Sequence, residues 1–236
     1  MKPILFNTEM VKAILNDKKT ITRRVVKDSG GNTPQSCKRD KFYKQVDKLN
    51  NDMRPYVGFY KDSDVFYIGE EKHIDAIYFK QPYQVGDILY VREAWWKNNG
   101  RYYYLADYDL PELVKKQLSK DCKCRPSIHM PKEAARIFLR VTNVRVERLQ
   151  DIGSLDVFKE GVKPQVPQYD GRFEDFKIEF SEAYNNVQKA CKDAFHKLWD
   201  STIKKSELDR YGWNCNPWVF VYEFVRCEKP VEEVKE

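Results

Sequence analysis

The chain has 236 residues, of which 42 are basic and 36 acidic, leaving a formal charge of +6; 42% are hydrophobic and 14% aromatic. That apolar content suffices for a packed core and excludes an intrinsically disordered chain. The length fits one large domain or two small ones. No apolar run approaches the ~20 residues of a membrane helix. The amino-terminal stretch is too short in apolar residues for a signal peptide, with Glu9 interrupting it. Six scattered cysteines suit reduced thiols rather than a disulfide framework, so the expectation is a soluble cytoplasmic protein.

Charge is placed unevenly. Residues 1–54 hold 13 basic and 6 acidic side chains, and 115–148 hold 10 and 3. Clustered Lys and Arg create a steering field for an anionic partner, although solvated surface gives the same pattern.

In chain order, Pro3–Phe6 predicts a strand and Thr8 a helix cap, with Met10, Val11, Ile14 and Leu15 at helical spacing. Asn16 and Asp17 tolerate the left-handed backbone that ends such a helix. Thr20–Val26 is β-branched and extended, whereas 28–49 is polar and aperiodic. Val57–Tyr60 and Val65–Ile68 predict a hairpin, and Ile74–Phe79 a third strand, within an insertion at about 28–81. Ile88–Glu93 and Arg101–Ala106 are further strands. Ile137, Leu139 and Val141 alternate, but Val144 and Val146 fall on the other parity, which predicts a bulge or bend at Thr142–Asn143. Leu155–Lys159 is a short helix stopped by Gly161. A long amphipathic helix spans Phe173–Ile203 along Phe176, Phe180, Tyr184, Val187, Cys191, Phe195 and Leu198. Trp218–Val225, apolar on both parities, is a largely buried strand. Many strands with few helices predict an α+β fold built on a small mixed β-barrel with flanking helices, with 1–227 as one domain and 228–236 a disordered tail.

The segment Asp17-Lys18-Lys19-Thr20-Ile21-Thr22-Arg23-Arg24 resembles the G-x-K-x-x-T-x-R signature of the ASCH domain family, whose fold is a PUA-like barrel. Lys19, Thr22 and Arg24 occupy signature positions, while Asp17 replaces the glycine. Val85–Val91 is similar to the family's turn into a barrel strand, and Leu149–Ile152 with Glu160-Gly161 to its strand exit and short helix. The blocks ILFNTEMVKAIL, VREAWW, RPSIHMPKEAARIFLRVTNVRVERLQDI, LWDSTI and NPWVFVYEF resemble a bacteriophage and prophage subgroup, with 28–81 the least familiar part. The resemblance implies a bacterial host cytoplasm and a protein that binds RNA or a modified nucleoside. One branch of the family hydrolyses acetylcytidine to cytidine and acetate, and another has been proposed to cleave RNA. In the hydrolysing branch a lysine, a threonine and a glutamate act together, and by position these roles fall on Lys19 as base, Thr22 as nucleophile and Glu160 as acid. Arg24 would then orient an anion or a base carbonyl.

On their own terms these residues suit that chemistry. A threonine hydroxyl needs a base, and a lysine serves as one when burial or neighbouring cations lower its pKa. Lys19 and Thr22 face opposite sides of an extended strand unless a turn intervenes. Trp95 and Tyr103, on neighbouring strands beside Trp96, Tyr102 and Tyr104, are candidates for base stacking, against the plainer role of filling a core. Arg125 and His129, with Lys132 and Arg136, are candidates for phosphate contact. Cys122-x-Cys124 with His129 is an incomplete zinc pattern, with Cys37 the only distant candidate for a fourth ligand, so no metal and no cofactor is expected. Two further readings stay open, an amidohydrolase or ribonuclease and an accessory protein that binds a host protein.

Overall fold

A computed structural model of the chain describes residues 1–27, 57–59, 65–68, 78–80, 82–108, 114, 123–165 and 176–230. Along the chain run β1 (Lys2–Leu5), α1 (Thr8–Leu15), β2 (Ile21–Val25), β3 (Val57–Phe59), β4 (Val65–Ile68), β5 (Tyr78–Lys80), β6 (Ile88–Arg92), β7 (Trp95–Asn98), β8 (Arg101–Tyr104), β9 (Phe138–Arg148), α2 (Ser154–Lys159), α3 (Phe176–Thr202), α4 (Leu208–Tyr211) and β10 (Trp218–Cys227).

Five of these strands form one mixed sheet in the order β1-β6-β9-β10-β2, with β1 parallel to β6 and the other neighbours antiparallel. The α+β class is as expected; the closed barrel is not. The edge strands β1 and β2 make no backbone ladder with each other. They are linked instead by the Arg24 guanidinium of β2, which donates to the Leu5 carbonyl of β1 at 2.9 Å. The contact across this β1–β2 seam is thus made by a side chain rather than by a backbone ladder.

The parity slip in β9 is a bulge. Glu223 of β10 lies opposite Asn143 and Phe224 opposite Val141, so Thr142 is the extra residue. It returns Val144 to the same apolar cluster that holds Leu139 and Val141. Burial of alternate β10 residues then divides the interior. Trp218, Phe220, Tyr222 and Phe224 pack with Phe6, Val11, Ile14, Leu89 and Val141 on one face. Val219 and Val221 pack with Ile21, Leu149, Val157, Cys191, Phe195 and Trp199 on the other. Helix α3 covers this second face through Val187, Cys191, Phe195 and Leu198, with Trp199 joining them and Tyr184 exposed.

Several boundaries differ from expectation for local reasons. Asn7 caps α1, its side chain accepting from the Met10 amide at 2.8 Å, and Thr8 is the first helical residue. Asparagine and threonine both serve as caps, so neighbouring candidates are separable only by the observed geometry. Helix α1 ends through Asp17 at φ 54°, and the Lys18 and Lys19 amides both return to the Ala13 carbonyl. Strands β3, β4 and β5 form their own antiparallel sheet. Of the expected third strand Ile74–Phe79, Tyr78 and Phe79 lie in β5, and residues 74–77 lie outside the described set. The rest of the 28–81 insertion, Cys37, Cys122, and residues 231–236 of the tail also fall outside it. Strands β7 and β8 make a separate two-stranded ribbon. Among the described residues no helix is long and apolar enough to cross a membrane.

Candidate functional site

Three stretches of chain meet beside the seam: the turn after α1, strand β2, and the end of α2. Lys19 and Glu160 form an isolated antiparallel bridge. Lys19 Nζ donates to Glu160 Oε2 at 2.5 Å and to the Glu160 carbonyl at 3.0 Å, with side-chain exposures of 0% and 4% for the two residues. Gly161 makes the approach achievable. It sits at φ +82°, and a Cβ there would stand 2.7 Å from Ala13 Cβ and 3.2 Å from Lys19 Cβ. Only a residue without a side chain ends α2 with the chain pressed this closely against α1.

Alternation along β2 distributes its side chains. Thr22 and Arg24, opposite Tyr222 and Phe220, face the cluster containing Phe6; Ile21, Arg23 and Val25 face the α3 side. The turn before β2 brings Lys19 to the Thr22 and Arg24 side, since Lys19 Nζ and the Arg24 guanidinium lie 5.7 and 5.3 Å from the Phe6 ring centroid. Arg24 Nη1 donates to Thr22 Oγ1 at 2.9 Å and to the Arg23 carbonyl at 3.0 Å. No hydrogen bond joins Thr22 to Lys19 among the described residues.

Arg23, which sequence reasoning passed over, anchors the other side. It donates to Glu147 Oε1, to Asp156 Oδ2 at 2.8 Å and to Glu160 Oε1 at 3.1 Å. Arg145 pairs in turn with Glu147, Asp156 and Glu223. Glu160 therefore joins a partly buried ion network on one face of the sheet to Lys19 on the other. The signal available in the sequence was the parity of β2, which sets a charged Arg23 between the apolar Ile21 and Val25.

Electrostatics follow from this placement. Burial lowers the Lys19 pKa from its usual range, with Arg24 and Arg23 acting in the same direction and Glu160 opposing. Burial also works against Arg23, but Glu160 and Glu147 overrule it and the net shift is upward. Arg24 is lowered by burial, with Glu160 the main opposing charge. Tyr222, cross-strand from Thr22 and in edge contact with Tyr83 at 5.1 Å, is pushed well above the ordinary phenol range, first by burial.

The remaining sequence candidates lie elsewhere. Trp95 is buried in a small core with Met130 and Ala134, Tyr102 and Tyr104 packing on it. The Arg125 backbone brackets Trp95, and its guanidinium sits 5.4 Å from the indole. Tyr103 stacks on Trp96, the rings 5.5 Å apart and 12° from parallel. His129 ends an exposed 3-10 turn. Arg136 clamps the buried Glu93 carboxylate, reaches Asp107, and lies 3.9 Å from the Tyr104 ring. Among the described residues no ion pair or hydrogen bond joins Trp95, Tyr103, Arg125 or His129 to the Lys19 cluster, and no group of three or more His, Cys, Asp or Glu side chains has the arrangement of a metal site.

Comparison of the chain with protein-family models, with characterised proteins and with solved structures returns no match.

Proposed function

We propose that the protein is an ASCH-like module that binds RNA or a modified nucleoside at Lys19, Thr22, Arg24 and Glu160. The observation that carries this reading is the convergence of those four positions, 141 residues apart between Lys19 and Glu160, around a buried Lys–Glu pair. Removing two charges from water costs several kcal/mol per ion, and packing alone would be served as well by apolar side chains. Perturbed groups of this kind concentrate where a ligand is handled. The basic segments 1–54 and 115–148 supply long-range attraction for a polyanion.

The test is fluorescence anisotropy of labelled single-stranded RNA, titrated with the wild type and with Arg24→Gln at two salt concentrations. Loss of about 10-fold in affinity is expected for a charge-assisted contact. Equal affinity for both proteins sinks the site. The second reading, amide hydrolysis of an acylated cytidine, draws on the lowered Lys19 pKa and on the buried Thr22 hydroxyl on the same face of the sheet. Thr22 Oγ would attack the acyl carbon while its proton passes to a neutral Lys19. The amine would leave with a proton, and water would release acetate from the acyl-threonine. Acetate release from acetylcytidine that vanishes in Thr22→Ala supports it; release unchanged in that variant rejects it.

A further inference from the structure

Among the described residues, the Lys19 cluster has donors left over. Both Glu160 oxygens are engaged, Oε2 by Lys19 and Oε1 by Arg23. The Thr22 oxygen already accepts from Arg24. Among the described residues, Arg24 directs Nη1 to Thr22 and the Arg23 carbonyl and Nη2 to Leu5, which leaves Nε–H and a second Nη2–H without an acceptor. Lys19 uses Nζ twice on Glu160, leaving its third N–H. The clearest case is Tyr222. It is fully buried, lies opposite Thr22, and its hydroxyl has no partner of normal geometry.

Charge points the same way. Arg23 is met by Glu147, Asp156 and Glu160, and Arg145 by Glu147, Asp156 and Glu223. Lys19 is met by Glu160. Arg24 alone of these cations donates only to neutral oxygens. It stands in the seam between β1 and β2, where Tyr83 also reaches across to the Pro3 carbonyl. Phosphate oxygens bring acceptors and negative charge.

We infer that the cluster takes a phosphate-bearing ligand, the phosphate seated in the β1–β2 seam against Arg24, Lys19 and the Tyr222 hydroxyl. This rests on the nucleoside-pocket reading and narrows it to a nucleotide.

The test is calorimetric titration of the full chain, at fixed ionic strength in chloride, with cytidine, cytidine monophosphate and inorganic phosphate. Wild type, Tyr222→Phe and Arg24→Gln are compared. The monophosphate should bind at least about 10-fold more tightly than cytidine, as charge-assisted hydrogen bonds require, and inorganic phosphate should compete with it. Tyr222→Phe should lose that preference yet unfold at no lower temperature, because the deleted hydroxyl has no hydrogen-bond partner among the described residues. Arg24→Gln should lose it as well. Equal binding of cytidine and the monophosphate overturns the phosphate seat and leaves the pocket reading standing. Phosphate binding that Tyr222→Phe abolishes, without any nucleotide binding, keeps the seat and overturns the nucleoside reading. Phosphate affinity equal in all three proteins, or no binding by any ligand, overturns the inference.

Discussion

Glu160→Gln isolates the central ion pair. The substitution keeps the shape and removes the charge facing Lys19 Nζ at 2.5 Å. Two unit charges at that separation attract by about 7 kcal/mol at an effective dielectric of about 20. Desolvation offsets much of this when both partners are present. With Glu160 neutral the attraction vanishes while the Lys19 desolvation remains, so the ammonium, whose side chain is 0% exposed, is left buried without a counter-charge. Breaking a buried pair in this way costs about 3–5 kcal/mol, against a total stability of about 5–15 kcal/mol. Lys19→Met should cost less, because Arg23 still holds Glu160 at 3.1 Å. The double variant Lys19→Met with Glu160→Gln should lie closer to the wild type than Glu160→Gln alone, with a coupling energy of about 2 kcal/mol.

Urea unfolding of the four proteins supplies the cycle. A pH series supplies a second readout. A lysine whose folded pKa is lowered loses stability as the pH falls below its unfolded value of 10.5 and regains it as the pH rises. Glu160→Gln removes the charge that opposes the lowering, so its deficit should shrink between neutral pH and about 10. Single costs that add to the double within about 0.5 kcal/mol would refute the coupled pair.

Two further substitutions probe the surroundings. Gly161→Ala should destabilise by about 2 kcal/mol in urea unfolding, since it imposes left-handed strain at φ +82° and a 2.7 Å approach to Ala13 Cβ; a neutral result would show that α1 and the end of α2 separate freely. At the other charged centre, burial raises the Glu93 pKa above its ordinary 4.5, against the opposing Arg136. An acid raised in the folded state contributes stability that is present below its unfolded pKa and lost as the pH rises through the folded one. The wild type should therefore lose stability relative to Glu93→Gln as the pH climbs above about 4.5, and parallel pH profiles for the two proteins would contradict this.

Periodicity and turn chemistry determine much of the chain without tertiary information. The parity break at Val144 specifies the bulge, because a strand with one buried face exposes every later side chain unless a residue is inserted. Asp17 and Gly161 mark helix ends because those backbones turn left-handed. The double-sided apolar run of β10 announces a strand covered on both faces. The resemblance to the ASCH signature singles out Lys19, Thr22 and Arg24 before any geometry is known.

Tertiary structure decides what those residues meet. Pairing Arg23 with Glu147, Asp156 and Glu160 depends on chain-distant contacts with no local pattern. Tyr222 reads in sequence as one more aromatic of a buried strand; only the register sets it opposite Thr22, where Arg24 acts on it electrostatically. Whether the barrel closes is likewise non-local. β1 and β2 end the sheet as its two edges, and the Arg24 guanidinium donates from one to the Leu5 carbonyl of the other. Alternation and capping act over a few residues and can be read along the chain, whereas ion-pair partners and sheet closure are properties of which distant segments share the same space.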